Sequence, residues 1–370
     1  MKNRFLCGFL ALFIFIAAWP VGSVSAASMP YPDGNANATA YALYEETENY
    51  ISTLGTPSVG SIGGEWMVID LVRAGLPCPK GYYQNVVDYV TANINEKEQL
   101  HKAKGTDNSR LIVALTAAGY DVTDVAGHNL LMGLTDMTYV KKQGNNGPIW
   151  ALIAFDTNNY PIPENPNAAE QVTREKLIDY ILSKQLADGG WALSGKAADP
   201  DMTGMALQAL APHCSDAAVK AAVDQGVACL SNIQHEDGGY GSFDGACSES
   251  CAQVIVALTS LGIDPHTDPR FVKNGKSVLD AMCSFAVAGG GFSHIPNKER
   301  NGMATEQAQY ALVAYLRFKS GMTALYDMQD VFSAPPKDAG DHSPIQWAFL
   351  PLTVSFCGII ALLTKRKYFR

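Results

Sequence analysis

The stretch QLADGGWAL, residues 185–193, is the first of three related segments that decide the fold. QHEDGGYGS follows at 234–242 and AVAGGGFSH at 286–294. Each segment places an aromatic residue directly after a pair of glycines, and these residues are Trp191, Tyr240 and Phe292. Segments that recur roughly every 50 residues are typical of chains built from one repeated supersecondary unit.

An amphipathic helical pattern precedes each segment, and an Ala/Leu-rich apolar pattern follows it. The amphipathic patterns cover 174–185, 219–234 and 275–287, and the apolar ones cover 201–211, 248–262 and 303–318. The same alternation occurs upstream, with amphipathic patterns at 39–52, 82–94 and 128–143 and apolar ones at 63–76, 107–120 and 147–160. No run sustains the period of two that is typical of a strand. The sequence therefore predicts six apolar helices that alternate with six amphipathic ones.

A helix that is apolar on nearly every side must be enclosed, whereas a helix with a polar face lies at the surface. Helices of the two kinds that alternate along the chain close naturally into two concentric rings. We therefore predict an all-α fold, an α6/α6 toroid, over residues 28–330. The inner helices then run in the same direction, so their N-termini gather at one rim with unpaired N–H groups and partial positive charge.

The repeats QLADGGW…DPDMTGMALQAL and QHEDGGY…SESCAQVIVAL resemble those of the terpenoid-cyclase and protein-prenyltransferase superfamily of α/α toroids. The resemblance extends from about Thr39 to Tyr326. It implies the fold but no particular activity, because cyclases, transferases and binding proteins share this architecture.

Both ends of the chain carry targeting signals. Residues 1–27 combine two early positive charges, an apolar stretch and a small-x-small cleavage site, which predicts a secretory signal peptide. After a linker at 331–344, the apolar stretch 345–364 is long enough to span a bilayer, and the basic tail 365–370 places the C-terminus in the cytoplasm. This end resembles a Gram-positive wall-sorting tail without its sorting pentapeptide. We therefore expect a body on the extracellular face that is held by a retained single-pass anchor.

The composition, with 47% hydrophobic and 17% charged residues, is that of a globular protein. The net charge of −9 and the lack of a basic patch in the body argue against nucleic acid as a partner. Six cysteines lie in the body: Cys78, Cys214, Cys229, Cys247, Cys251 and Cys283. The sequence permits disulfides or a metal pair at Cys247 and Cys251, but buried apolar thiols are the favoured interpretation.

Candidate site residues lie near the starts of the inner helices and in the glycine-aromatic segments. As ligand-binding residues we predict Trp66, Trp150, Trp191, Asp199, Asp201, Thr203, Tyr240, Glu249, Phe292 and Glu306. Further polar residues of the same rim are Glu65, Asn108, Ser109, Ser250, Thr305 and Gln307. Many of these side chains are expected to cap helices rather than to touch a ligand.

The resemblance suggests two kinds of catalysis, and each motif is incomplete. Squalene cyclases protonate an alkene with the middle acid of an Asp-x-Asp-Asp motif, which would make Asp201 a general acid, but Met202 stands in the last position. The pair Asp199 and Asp201 is equally a natural helix cap. Protein prenyltransferases hold zinc with Asp, Cys and His, and the matching positions here are Asn301 and Met303. We therefore assign no metal ligand, and we interpret His235 and His294 as loop residues.

The segment DPDMTGMALQAL is also similar to the inner-helix repeats of the transcobalamin and intrinsic-factor toroids. That resemblance implies a corrinoid as a candidate ligand and a non-catalytic role. Those proteins close over their ligand with a second domain, so a separate partner chain would have to supply such a lid here. The sequence thus favours a binding module for a small molecule or a surface protein, with a terpene-cyclase-like enzyme that uses Asp201 as the alternative.

Overall fold

The computed structural model describes residues 36–241, 245–296 and 298–332. The predicted signal peptide at 1–27, the span at 345–364 and the basic tail lie outside these residues. Within the described ranges, every helix is too short or too polar to cross a membrane.

Helices are the dominant regular structure of the described chain. Its α-helices are α1 (Ala38–Ile51), α2 (Glu65–Arg73), α3 (Tyr82–Asn93), α4 (Gly105–Ala117), α5 (Met137–Val140), α6 (Asn146–Asp156), α7 (Arg174–Ser183), α8 (Pro200–Leu210), α9 (Ala217–Ile233), α10 (Ser248–Ser260), α11 (Val278–Cys283), α12 (Gly302–Lys319) and α13 (Gln329–Phe332). Short 3-10 helices occur at Leu130–Leu134, Lys141–Gln143, Ala211–His213 and Pro269–Phe271. Strands β1 (Val272–Lys273) and β2 (Lys276–Ser277) form an antiparallel hairpin.

The even-numbered helices α2 to α12 form a closed inner ring. Each packs against the next, and α12 returns to pack against α2. The inner helix α6 has every residue from Gly147 to Phe155 buried, as expected for a helix enclosed on all sides. The odd-numbered helices α1 to α11 alternate with the inner ones along the chain and, like α7 with its two buried residues, have polar faces. The predicted toroid is confirmed.

Two of the outer helices are shorter than the sequence predicts. The pattern at 128–143 breaks into two 3-10 turns and the four-residue α5. A Cβ at Gly133 would collide with the carbonyl of Glu98 and the amide of Asn108, so the chain is held close to these groups there. Asp136 then begins a new helical turn by accepting the N–H of Thr138. The pattern at 275–287 begins with the β-hairpin, which leaves only Val278–Cys283 for α11.

The glycine-aromatic segments tie each inner helix to the structure around it. The backbone N–H of the aromatic residue is accepted by the fourth residue of the following inner helix: Trp191 by Thr203 at 2.9 Å, Tyr240 by Cys251 at 3.4 Å and Phe292 by Thr305 at 3.0 Å. The glycine that begins each turn has a positive φ and meets the backbone of the neighbouring outer element. At Gly189, for example, an added Cβ would lie 2.8 Å from the carbonyl oxygen of Gln225. The repeat is therefore a unit of packing.

A segment after α12 crosses the C-terminal ends of the inner helices. The N–H of Met328 donates to the carbonyl of Thr157 at 2.8 Å. Arg73 and Arg317, each 3% exposed, both bind the carboxylate of Asp330, at 2.8 and 2.7 Å. Residues 323–332 therefore close the end of the toroid opposite to the helix starts.

Candidate functional site

The starts of the six inner helices lie together at one end of the ring, which we call the mouth. Carboxylates are concentrated there, one near the start of most inner helices: Glu65, Asp107, Asp201, Glu249 and Glu306. Carboxylates are favoured at this position because they complement the partial positive charge of a helix N-terminus. Each of these carboxylates can bind a ligand only if its oxygens do not already bond to other parts of the protein.

Glu65 and Glu306 hold the loop that precedes α2. Glu65 accepts from Arg110 at 2.8 Å and from the N–H of Gly60, and Glu306 accepts from the N–H of Gly63 at 2.7 Å. Burial raises the pKa of both carboxyls, that of Glu306 to about 7. The second oxygen of Glu306 has no hydrogen-bond partner in the described part of the chain. The roles of these two acids are therefore mainly structural.

Asp199 is confirmed as the helix cap of α8. Its side chain accepts the N–H of Met202 at 2.9 Å, and Pro200 occupies the first helical position. Asp201 lies in the first turn, half-buried, beside the start of α10. Its negative charge contributes to raised pKa values at Cys247 and Tyr310, after burial as the main cause. Of the two acids, Asp199 caps the helix, and Asp201 lies close to Cys247 at the start of α10.

An aromatic cluster occupies the axis of the ring below the mouth. Trp66 packs against Trp150 at 5.1 Å and against Tyr310 at 5.8 Å between ring centroids. From the closed end, Tyr326 meets Trp150 edge-on at 5.6 Å. Trp150, Tyr310 and Tyr326 are at most 8% exposed, whereas Trp66 is half-buried. Both tryptophans were predicted from the sequence, but the two tyrosines were not, because one follows the last inner helix and neither differs from a core residue in pattern.

Asp70 lies in the middle of α2, fully buried, and was also missed. Neither of its carboxylate oxygens has a hydrogen-bond partner among the described residues. Burial and the nearby charge of Glu306 raise its pKa well above the usual value, so the neutral acid is favoured. In the sequence Asp70 is one polar residue in an apolar run, and its depth depends on the ring around it.

Amide side chains link three inner helices beside this cluster. Gln208 donates to the side-chain oxygen of Gln253 at 3.1 Å, and Gln253 donates to Gln307 at 3.2 Å and to the hydroxyl of Tyr310 at 2.6 Å. Helices α8, α10 and α12 are thereby held at fixed positions around the axis. Gln307 is the half-buried member of this chain, so it forms the end at the mouth.

Several predicted site residues are placed inside the walls of the toroid. Trp191, Tyr240, Phe292 and Thr203 are all 0% exposed. The indole N–H of Trp191 donates to the carbonyl of Ile181 at 2.8 Å, and the hydroxyl of Tyr240 donates to the carbonyl of Leu230 at 2.9 Å. These groups hold the repeats together. The residues that the structure brings together at the mouth and axis are Trp66, Trp150, Asp201, Glu249 and Glu306.

One further group of side chains lies at the edge of the mouth. His294 Nδ1 is 2.8 Å from Glu249 Oε2, and Cys247 lies beside them at the start of α10. From the sequence, His294 was predicted to be a separate loop residue, because its contact with Glu249 joins segments that lie far apart in the chain. All six body cysteines, which lie in the described ranges, are free thiols, and Cys229 and Cys251 are buried.

No protein-family model and no curated protein sequence matches this chain. Solved structures of other proteins do match it in fold. A variant of the type II terpene cyclase MstE from Scytonema in complex with geranylgeranyl dihydroxybenzoate superposes with a TM-score of 0.51 at 9% identity, over 76% of this chain and 98% of that one. The same cyclase without ligand gives 0.50 at 11% identity over the same shares.

A structure of a different class matches equally well. A glycosyl hydrolase family 88 protein from Bacteroides vulgatus superposes with a TM-score of 0.50 at 12% identity, over 75% of this chain and 98% of that one. At identities this low, these matches show shared architecture alone. The chain thus has an α/α toroid fold, which the type II terpene cyclase and the glycosyl hydrolase family 88 protein share.

Proposed function

We propose that this protein is a non-catalytic binding module that takes its ligand at the mouth of the toroid. The filled axis carries this proposal. Trp66, Trp150, Tyr310 and Tyr326 are already in contact with one another where a cyclase would enclose its substrate. A ligand therefore meets only the mouth surface. Two surface concavities, of about 340 and 330 Å³, also occur, but they lie beside the outer elements α11 and α7 rather than at the axis.

The mouth favours a ligand rich in hydrogen-bonding groups. It includes the half-buried carboxylate of Asp201, the half-buried amide of Gln307 and the partly exposed indole of Trp66. Such a surface suits a polar small molecule with an apolar face, as in pockets where a few polar groups orient an otherwise apolar contact. A corrinoid, which carries peripheral amides on a flat ring, is the specific candidate that the sequence resemblance suggests. A partner protein that acts as a lid would complete a site of this shallow form.

The test is retention of cobalamin by the full chain through gel filtration, detected by visible absorbance. Trp66→Ala should weaken retention, because the indole supplies the apolar face of the mouth. Met322→Ala is the control, since Met322 is 46% exposed and follows α12 at the opposite end. If the chain retains no cobalamin, or if both variants bind it equally, the mouth is not a corrinoid site. Mass spectrometry of small molecules that co-purify would then identify another ligand.

A terpene-cyclase-like enzyme is the second candidate, and the aromatic cluster favours it. Aromatic faces stabilise carbocations, and Asp201 lies within electrostatic range of Tyr310. In this alternative Asp201 is the general acid. Asp201→Asn would then abolish terpenoid cyclisation while the melting temperature stays unchanged. Asp199→Ala is the matched comparison, because loss of the cap should cost about 1 kcal/mol of stability without touching the acid.

A further inference from the structure

Three side chains of different chemistry converge at the edge of the mouth. The Sγ of Cys247, a carboxylate oxygen of Glu249 and a ring nitrogen of His294 all lie within 4.8 Å of one another. Zinc bonds of about 2.0–2.3 Å place tetrahedral ligand atoms roughly 3.3–3.8 Å apart, so small side-chain rotations would bring the three onto one ion. The convergence joins the start of α10 to the loop that precedes α12.

The backbone fixes this arrangement. The N–H of Ser248 donates to the carbonyl of His294 at 3.1 Å, which ties the histidine loop to the first turn of α10. The N–H of Cys247 donates to the carbonyl of Tyr240 at 2.8 Å, within the glycine-aromatic segment. Cys247 is the N-cap residue of α10, and Glu249 is the second residue of the helix. The positions of all three donors therefore follow from the packing of two adjacent repeats.

We propose that Cys247, Glu249 and His294 form a zinc site at the edge of the mouth. This proposal goes beyond the binding function and does not depend on it. Thiolate, carboxylate and imidazole are the zinc ligands of proteins, whereas Ca²⁺ and Mg²⁺ require oxygen donors throughout. With three protein ligands, the fourth position is open to water or to a donor atom of a molecule at the mouth.

The charges around the site suit a divalent cation. Thiolate and carboxylate together neutralise Zn²⁺, and the carboxylate of Asp201 adds negative charge nearby. Binding of zinc releases the thiol proton to solvent as the Zn–S bond forms. The side chain of His294 is 56% exposed, which leaves a path for the ion to enter.

The test is a Zn²⁺ titration of the full chain after dialysis against a chelator, with a chromogenic chelator as competitor. We expect the wild-type chain to bind one zinc ion at this site. Each of Cys247→Ser, Glu249→Gln and His294→Gln should weaken zinc binding at least about tenfold. Serine is a better N-cap than cysteine, so Cys247→Ser removes the thiolate while the start of α10 is kept. Circular dichroism verifies that each variant remains folded.

The visible spectrum of bound cobalt provides a second readout. Co²⁺ in this site should give the intense visible bands of tetrahedral coordination and a thiolate charge-transfer band, and the latter should vanish in Cys247→Ser. Cys214→Ser and His235→Gln change the same residue types elsewhere and should leave zinc binding and the cobalt spectrum unchanged. The proposal fails if the wild-type chain binds no zinc, if its cobalt spectrum lacks the thiolate band, or if the controls weaken binding as much as the three ligand variants do.

Discussion

Replacing Thr203 by valine tests how the glycine-aromatic repeats stabilise the fold. Thr203 is 0% exposed, and its hydroxyl accepts the N–H of Trp191 at 2.9 Å and donates to the carbonyl of the same residue at 3.1 Å. Valine has nearly the same shape but cannot form either bond. The carbonyl keeps a second donor, the N–H of Asp199 at 2.8 Å. The N–H is left without an acceptor among the described residues.

A buried donor without a partner costs about 1–3 kcal/mol, so Thr203→Val should lower the free energy of unfolding by about 2 kcal/mol. Thr305→Val should cost the same, because Thr305 accepts the N–H of Phe292 at 3.0 Å in the same arrangement. Thr203→Ser keeps the hydroxyl and loses one methyl, so it should cost only about 1 kcal/mol. Urea denaturation of the full chain, followed by circular dichroism, measures these differences.

Thr259→Val is the matched control. Thr259 is 8% exposed, and its hydroxyl donates only to carbonyls of its own helix, at Ile255 and Val256. Its replacement leaves no donor unpaired within the described structure and should change stability by less than about 0.5 kcal/mol. If Thr203→Val is no more costly than Thr203→Ser or than Thr259→Val, the hydroxyl does not stabilise the repeat and the reasoning is wrong.

Two further substitutions test the interior and the closed end. Since burial raises the pKa of Glu306 from 4.5 to about 7, the folded state holds this proton more tightly than the unfolded state, and stability falls as pH rises through this range. Glu306→Gln still accepts the N–H of Gly63 and should remove up to about 3 kcal/mol of this loss of stability. In urea denaturation it should therefore stabilise the fold more at about pH 8 than at about pH 5. Equal effects at both pH values would contradict a raised pKa at Glu306. Asp330→Asn should cost about 3 kcal/mol in thermal unfolding, because it leaves the buried guanidinium groups of Arg73 and Arg317 without their shared counter-charge. Asp224→Asn, in an exposed pair with Lys220, should cost less than about 1 kcal/mol, and similar losses for the two would refute a special role of the closed end.

The resemblance of this fold to those of enzymes with different chemistry makes the mouth the decisive region. The terpene cyclase and the family 88 hydrolase superpose on this chain equally well, at 9–12% identity. What differs between such proteins is which side chains surround the axis and whether they leave space for a substrate. Here Trp66 and Trp150 pack directly against each other, so the cyclase alternative requires this contact to open for a substrate, whereas the binding proposal does not.

The architecture could be predicted because it follows from local patterns. The apolar run from Gly147 to Phe155 indicates from the sequence that α6 is enclosed, and the polar face of α7 indicates that this helix lies outside. The capping role of Asp199 is equally local, since the cap and the N–H that it accepts are three residues apart. The break at 128–143 could not be predicted, because it arises where Gly133 meets the backbone of Glu98 from another element.

The site was less predictable, because its contacts join residues that are distant in the chain. The sequence alone determined that polar groups such as Asp201 and Glu249 lie at the starts of inner helices, since the periodicity of the apolar patterns sets those starts. Only the tertiary structure decided that Trp191, Tyr240 and Phe292 are enclosed in the walls, where the following helix accepts their backbone N–H groups. Closure of the ring likewise decides that Tyr326 fills the axis and that His294 reaches Glu249. A pattern along the chain reports which face of a helix is buried, but which residues meet there depends on how the helices pack.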